Sequence, residues 1–465
     1  MITEGDSAPR SVPASEGDSG RRSVPASEGD SGPAAEAEEL LRSLIRFDTV
    51  NPPGNERSAQ EHLAAHLAAA GFECELLGAE PERPNLVARL RGRNDGPATP
   101  RLCFLGHVDT VLADAAEWSH GPWSGDLDEG FIWGRGALDM KNQVAAEIAA
   151  ACSLARSGWR PQRGELLVVA VVDEETGGAL GAQWLTETHP EKVRCDVLVN
   201  EGGGAVFEYA GRRCYGVCCA EKGVFRFTLA TTGIAGHASM PGMGENALLK
   251  MAPLLERLGA RRPGYRPTDE PLEFLRGIGE DPDDPAGAIE RLRAAHPRLA
   301  VMFEPMLGVT FTPTRIRASE KVNVIPSRAE LKVDCRVPPG LGEDEVRADI
   351  AAVLDGEDGW ELEFTERVVG NRSPVHSDLM DRIAAWIGER DPGASVVPVV
   401  LPGFTDSRHF RLAFPDCVAY GFFPQRHQSL LDGAPLIHGA DERIDVRDLA
   451  FATDAYRDLA TGILG

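Results

Sequence analysis

Three short apolar runs, at residues 102–105, 166–172 and 197–199, are each followed within a few residues by acidic side chains, and this recurrence constrains the fold more than any other feature of the chain. Read as strands, the runs put Asp109, Glu174, Glu175 and Glu201 at or just beyond C-terminal strand ends. That edge is where open α/β sheets gather their ligands. His107 and Asp109 lie two residues apart, so on a strand of period two both side chains reach one face. The flanking pattern alternates in the same sense. Leu40, Leu41, Leu44 and Ile45 form one helical stripe, and Leu63 and Leu67 a second. Strands are predicted over 85–90, 102–108, 166–172 and 196–200, with a helix over 143–155 between the middle two. Such alternation predicts an α/β layer structure with a largely parallel sheet.

Asp139 and, far downstream, His438 complete a set of nitrogen and oxygen donors with His107, Glu174, Glu175 and Glu201. Two divalent ions a few ångströms apart require imidazoles on the outside and a carboxylate between them, because only a carboxylate offers one oxygen to each ion. Asp139 suits that bridge. Of two successive glutamates, one can hold an ion while the other stays free to take a proton from water, a division that suits Glu174 and Glu175. Singly, a His-x-Asp pair in a strand is commonly packing plus a hydrogen bond, and an acidic pair is commonly a solvated turn. The joint pattern points instead to a hydrolase with two metal ions.

Six blocks carry a resemblance: 106–111 (GHVDTV), 133–141 (WGRGALDMK), 173–178 (DEETGG), 200–203 (NEGG), 236–241 (GHASMP) and 437–442 (IHGADE). In content and order, over most of the chain, they resemble the dinuclear-zinc amidohydrolases that include glutamate carboxypeptidase, acetylornithine deacetylase, succinyl-diaminopimelate desuccinylase and aminoacylase. The resemblance implies an α/β zinc-peptidase catalytic domain carrying an inserted α+β (ferredoxin-like) lid or dimerisation domain. It implies Asp139 as the bridge, Glu175 and His438 as the other ligands of one ion, His107 and Glu201 as those of the second, and Glu174 as general base. Asp109 would sit behind His107, accepting a hydrogen bond from its free ring nitrogen and so fixing the tautomer. Asn142 stands where the family often has glycine, at a position expected to stay clear of the ions. Donor type favours two Zn2+, and cobalt or manganese suits the same nitrogen and oxygen set. The implied reaction is hydrolysis of an amide, a peptide or N-acyl-amino-acid bond, with Glu174 taking the proton from metal-activated water and passing it to the leaving nitrogen.

Beyond Glu221 the character changes. Phe225, Phe227 and Leu229 alternate with polar residues, then come a helical stripe at Leu248, Met251, Leu255 and Leu258, strands over 309–316 and 330–337, a helix around Val346 and Ile350, and a strand through Trp360, Leu362 and Phe364. The expected division is a low-complexity tail over 1–33, a metal-binding domain over 34–219 and 369–465, and the insertion over 220–368. Within the insertion, His237 matches the family histidine that donates to the tetrahedral oxyanion, in dimers often from the partner subunit. A histidine capping a turn is the plain alternative. Asn323 and Arg336 resemble lid positions that contact substrate, and Arg408 is a further candidate. A guanidinium fork fits a substrate carboxylate, although a structural pair of Arg336 with Asp334 fits the spacing nearly as well. The segment 262–305, rich in Pro, Gly and acidic residues with one amphipathic patch near Ile289 and Leu292, is longer than a connection needs and is expected to shape the lid or to be a surface insertion.

Composition sets the outer limits. A chain of 465 residues with 42% hydrophobic content exceeds one ordinary core, which agrees with two domains. A formal charge of -24 excludes nucleic acid as a partner, since a polyanion would be repelled. No apolar stretch reaches the ~20 residues of a membrane span, and no secretory apolar segment opens the chain. Nine cysteines without paired spacing fit reduced thiols and a cytoplasmic protein. Residues 10–20 (RSVPASEGDSG) recur unchanged as 22–32, a composition too poor in large apolar side chains to order itself. The expected partners are a small amide substrate bearing a carboxylate and a second copy of the chain. Two rivals are a non-catalytic scaffold, expected to lose the base or the bridge, and an aminopeptidase of a related dinuclear fold, expected to lack the His237 motif.

Overall fold

The computed structural model describes residues 32–94 and 100–465, so the repeat is outside the described residues up to Ser31. The main sheet takes its first seven strands from β1 (Glu73–Leu77), β2 (Asn85–Arg91), β3 (Arg101–His107), β4 (Glu165–Val171), β5 (Val197–Asn200), β6 (Val206–Tyr209) and β7 (Arg212–Glu221). The chain then builds a second sheet from β8 (Gly223–Val224), β9 (Phe227–Thr232), β10 (Thr310–Arg317), β11 (Arg328–Val337) and β12 (Trp360–Phe364). It returns to the first with β13 (Asn371–Arg372), β14 (Ser395–Leu401) and β15 (Val418–Gly421). Helices α1 (Pro33–Ile45) and α2 (Lys141–Arg156) precede the second sheet, α3 (Ala247–Ala260) and α4 (Glu343–Val353) belong to it, and α5 (Val446–Leu464) ends the chain.

The main sheet runs β1-β2-β4-β3-β5-β15-β7-β13, with β14 and β6 also on β7, and only β2, β7 and β14 run against the other strands. Its central strands β4, β3, β5 and β15 are parallel neighbours. Being covered on both faces, they read as unbroken apolar runs, and every residue of β4 is buried. α1, α2 and α5 share one continuous core on one face, through Leu41, Leu44, Ile148, Leu449 and Tyr456. No helix of the described residues is long and apolar enough to cross a membrane, and all nine cysteines are free.

The second sheet has the order β12-β9-β11-β10, all antiparallel, with β8 also on β11. With its helices it reads β9-α3-β10-β11-α4-β12, the ferredoxin-like pattern. β11 alternates buried and accessible side chains, as a sheet with one covered face must, and its inward Leu331, Val333 and Cys335 meet Met251, Leu254 and Ile350 in a separate core.

The segment 262–305 is largely helical. It forms three helices, Asp269–Ile278, Pro285–Ala295 and Pro297–Phe303, and packs on the main sheet rather than on the second one. Phe274, Ile278, Leu292 and Phe303 bury against Phe207, Val397 and Val400. The Pro and Asp residues that looked like loop punctuation are helix starts: Asp284 accepts from the Gly287 N–H at 3.0 Å, and Pro285 and Pro297 stand in first turns, where no N–H is missed. Lys222, fully buried between the two sheets' strands, donates to the carbonyls of Pro305 (2.9 Å) and Gly308 (2.7 Å) and ties the end of this segment to the main sheet.

Candidate metal centre

β4, β3 and β5 lie side by side in parallel register, His107 opposite Val171 and Phe104 opposite Val199, so the residues after them meet along one edge. Just past β4 the chain must turn sharply to bring Glu174 and Glu175 back over that edge. Asp173 takes the left-handed conformation (φ 71°), which an aspartate tolerates better than most residues. Its carboxylate is held by Arg83 (3.1 Å), itself paired with buried Glu56 (2.6 Å), and by Asn51 (3.1 Å). Asn51 also donates to Asp109 (2.9 Å), and Asp109 accepts the backbone N–H groups of Glu174 and Glu175, both at 3.2 Å. Asp109 therefore spends its carboxylate on the turn that carries the glutamates. The hydrogen bond at His107 Nδ1 is to the Asp109 main-chain oxygen at 3.0 Å, with the carboxylate farther at 3.5 Å, which differs from the expected carboxylate contact.

Asp139 immediately precedes α2, and the loop before it is held by a residue from the other end of the chain. Glu442, fully buried, accepts from the N–H groups of Leu138 (2.6 Å), Asp139 (3.1 Å) and Gly136 (3.2 Å) and pairs with Arg135 at 2.6 Å. Burial pushes Glu442 up to about 7 despite these donors. Because Glu442 is four residues after His438, the same anchor brings His438, in a left-handed turn (φ 61°), to Asp139.

The resulting cluster is compact. Asp139 meets His107 Nε2 through one oxygen at 3.1 Å and His438 Nε2 through the other, also at 3.1 Å. His107 Nε2 is 3.8 Å from Glu201 and 4.0 Å from Glu174, and His438 Nε2 is 3.2 Å from Glu175. Two groups of three donors follow, His107 with Asp139 and Glu201, and Asp139 with Glu175 and His438. They share Asp139 alone. Each group offers nitrogen and oxygen donors suited to a divalent transition metal. The second oxygen of Glu175 is buried without a hydrogen-bond partner, which leaves a donor atom for an ion to use.

The electrostatics also ask for positive charge. Burial, with Glu201 adding to it, pushes the Glu174 carboxyl well above the usual carboxylate range, and burial with Asp139 does the same to Glu201. Asp139 resists burial because the two imidazoles hold it below its ordinary value. His438 is raised to about 10 by Asp139 and Glu175. Without a cation, four carboxyls this close can persist only by keeping protons among them and on the imidazoles.

The remaining candidates are placed less uniformly. The cavity of about 570 Å³ above the cluster is lined by Asp139, Glu174, Glu175, Glu201 and His438, but not by His237, Asn323, Arg336 or Arg408. His237 and Asn323 are exposed on the second sheet's side, where the Asn323 carbonyl accepts from the Ala238 N–H at 3.0 Å. His237 Nδ1 accepts from the Ser239 N–H at 3.2 Å and lies 2.7 Å from the Ser239 hydroxyl. Arg336 is held by Asp334 at 2.7 Å and donates to the Pro402 carbonyl at 3.3 Å. Arg408 lies over the Phe404 ring at 4.9 Å and has no ion pair among the described residues. Sequence reasoning passed over Asn51, Arg83, Glu442 and the cavity-lining Gln143. Only Glu442, inside the 437–442 block, had a signal that could have found it.

Among curated relatives, a succinyl-diaminopimelate desuccinylase from Rhodospirillum centenum is 30% identical over 432 residues, covering 90% of this chain and 95% of its own. A solved M20 family metallo-carboxypeptidase from Sulfolobus solfataricus superposes with a TM-score of 0.65 at 17% identity, over 91% of this chain and 98% of its own. A dinuclear metal-binding M20 peptidase from Bacillus subtilis does so at 0.58 and 13%, over 93% and 98%. The model of Peptidase family M20/M25/M40 matches residues 103–462, and the chain belongs to this family of metal-dependent amide-bond hydrolases.

Proposed function

We propose that the chain hydrolyses the amide bond of a small, carboxylate-bearing substrate at a pair of divalent ions, zinc by donor type. His107, Asp139 and Glu201 would hold one ion, and Asp139, Glu175 and His438 the other. The observation that supports this most is the single carboxylate of Asp139, with its two oxygens each 3.1 Å from a different imidazole. When bound, two such ions supply Lewis acidity and lower the pKa of water from ~15.7 towards ~7. Glu174 is the general base: it makes no hydrogen bond to either imidazole among the described residues and lines the cavity, where a carboxylate can take a proton from water and return it to the leaving nitrogen. Asp109 positions Glu174 and Glu175 through their N–H groups. Residues 34–219 and 369–465 form the metal-binding part and the second sheet of 220–368 the lid.

His237 lies outside the cavity, and in this reading it would serve the oxyanion from the second copy of a homodimer. Arg408, half-buried and without an ion pair among the described residues, is the better of the two arginines for a substrate carboxylate.

The test is amine release from N-acyl amino acids and dipeptides, with zinc or cobalt added, for the wild type and Glu174→Gln. Metal-dependent release that falls about 10²- to 10⁴-fold in the variant supports the assignment. Full turnover by Glu174→Gln would falsify the assigned base.

A further inference from the structure

The cavity above the metal cluster has two chemically different halves. Its floor holds every charged residue that lines it, namely Asp139, Glu174, Glu175, Glu201 and His438. The walls are largely apolar, with Phe207 from β6, Val400 and Leu401 from β14, and Met302, Phe303 and Met306 from the helix Pro297–Phe303 and the turn after it, interrupted by the uncharged polar side chains of Gln143, Thr405 and Gln425. Among the described residues, no lysine or arginine lines the cavity, and no carboxylate does outside the cluster.

The apolar wall is fixed in place. Phe303 packs against Phe274 and Phe207 with tilted rings, their centres 4.4 and 5.0 Å apart, and Met306 and Leu307 are buried. The Val400 N–H meets the Met306 sulfur at 3.3 Å, and buried Lys222 holds the carbonyls on either side of this turn, at 2.9 and 2.7 Å. At the rim, Phe404 lines the cavity and carries Arg408, which has no ion pair among the described residues, on its ring at 4.9 Å.

From these contacts we infer that the cavity takes the acyl group of an N-acyl amino acid, and that this group is apolar, uncharged and of medium length. The inference rests on the amide-hydrolase reading above. A succinyl group would bring its distal carboxylate into a chamber that offers it no cation beyond the metals, and desolvating it there is costly. A free N-terminal ammonium would find no acid outside the cluster. An alkyl or aryl chain meets neither penalty, and a cavity of about 570 Å³ is within the range that encloses a whole small ligand. The amino acid's own carboxylate pairs with Arg408 at the rim. Water adds its hydroxyl to the acyl carbon, the C–N bond breaks, and the nitrogen takes the remaining proton, so the products are a carboxylic acid and a free amino acid.

The experiment measures kcat/KM of the metal-loaded full chain on N-acetyl-, N-butyryl-, N-octanoyl- and N-succinyl-L-alanine and on the dipeptide Leu-Ala. Each methylene that enters the cavity is expected to raise kcat/KM roughly fourfold, and octanoyl to exceed acetyl by at least about 100-fold. Met302→Arg, and Val301→Arg at a more exposed wall position, are expected to lower the octanoyl value about tenfold or more and raise the succinyl value. Calorimetric binding of octanoate against succinate reads the same preference without turnover. Preference for succinyl-alanine or Leu-Ala, or a series flat in chain length, overturns the inference while leaving the hydrolase intact. No turnover on any substrate, with octanoate still preferred over succinate, overturns the hydrolase reading and keeps the apolar chamber. No turnover and no octanoate binding overturns both.

Discussion

The floor and the wall of one cavity are built by opposite means. The floor is assembled from charged side chains at adjacent strand ends and on two loops, several of them positioned by hydrogen bonds to their backbone N–H groups, as Asp109 does for Glu174 and Glu175 and Glu442 for Asp139. The wall comes from a helical segment whose side chains are interchangeable in kind and fixed only by packing, with Phe303 and Met306 against Phe207 and Val400. Removing a group from the floor should abolish the reaction for every substrate. Altering the wall should redistribute rates among substrates and leave the chemistry in place.

The difference can be pressed from both sides. On the floor, Glu174→Gln should lower kcat about 10²- to 10⁴-fold for all substrates alike, seen in steady-state kinetics, and a loss confined to one acyl length would place Glu174 in recognition instead. Behind the floor, Glu442→Ala strands buried Arg135, and breaking such a pair should cost about 3–5 kcal/mol in urea unfolding. Metal content should fall with it. At the rim, Arg408→Ala should raise KM roughly tenfold or more, the size of a lost charged hydrogen bond, whereas Arg336→Ala should change KM by less, because Asp334 already occupies its guanidinium. An inverted ranking of the two would move the substrate carboxylate to the second sheet.

The smallest effect concerns the wall's anchor. Burial lowers the Lys222 ammonium to about 7, against ~10.4 in an unfolded chain. Between those values the unfolded chain holds a proton that the folded chain has released, so this lysine makes stability rise with pH across the window and level off below about 7, where both states carry the proton. Lys141, also lowered to about 7, contributes in the same sense. Lys222→Met should flatten part of that rise, measured as urea midpoints from pH 6 to 10, and raise KM modestly for long acyl substrates through a loosened 305–308 turn.

What could be read from the sequence divides along the same line. The strands at 102–108 and 166–172 and the helix at 143–155 appear within one or two residues, because buried parallel strands are written as unbroken apolar runs and a helix as a stripe. The residues of the two donor groups were legible because chemistry admits few substitutes at such positions. The 262–305 helices were not. Their starts use Pro and Asp, which also mark turns, and nothing local says which sheet an amphipathic helix will cover. The contact of His107 Nδ1 with the Asp109 main chain was equally hidden, since spacing fixes which face a side chain shares and not which oxygen it meets.

The central claim is that Asp139 joins two donor groups into one dinuclear centre, and metal stoichiometry tests it most directly. Elemental analysis after zinc loading and dialysis should give two ions per wild-type chain, about one for His438→Ala, and close to none for Asp139→Ala, which removes a ligand from both groups. Two ions retained by Asp139→Ala, or one ion per wild-type chain, would contradict the account.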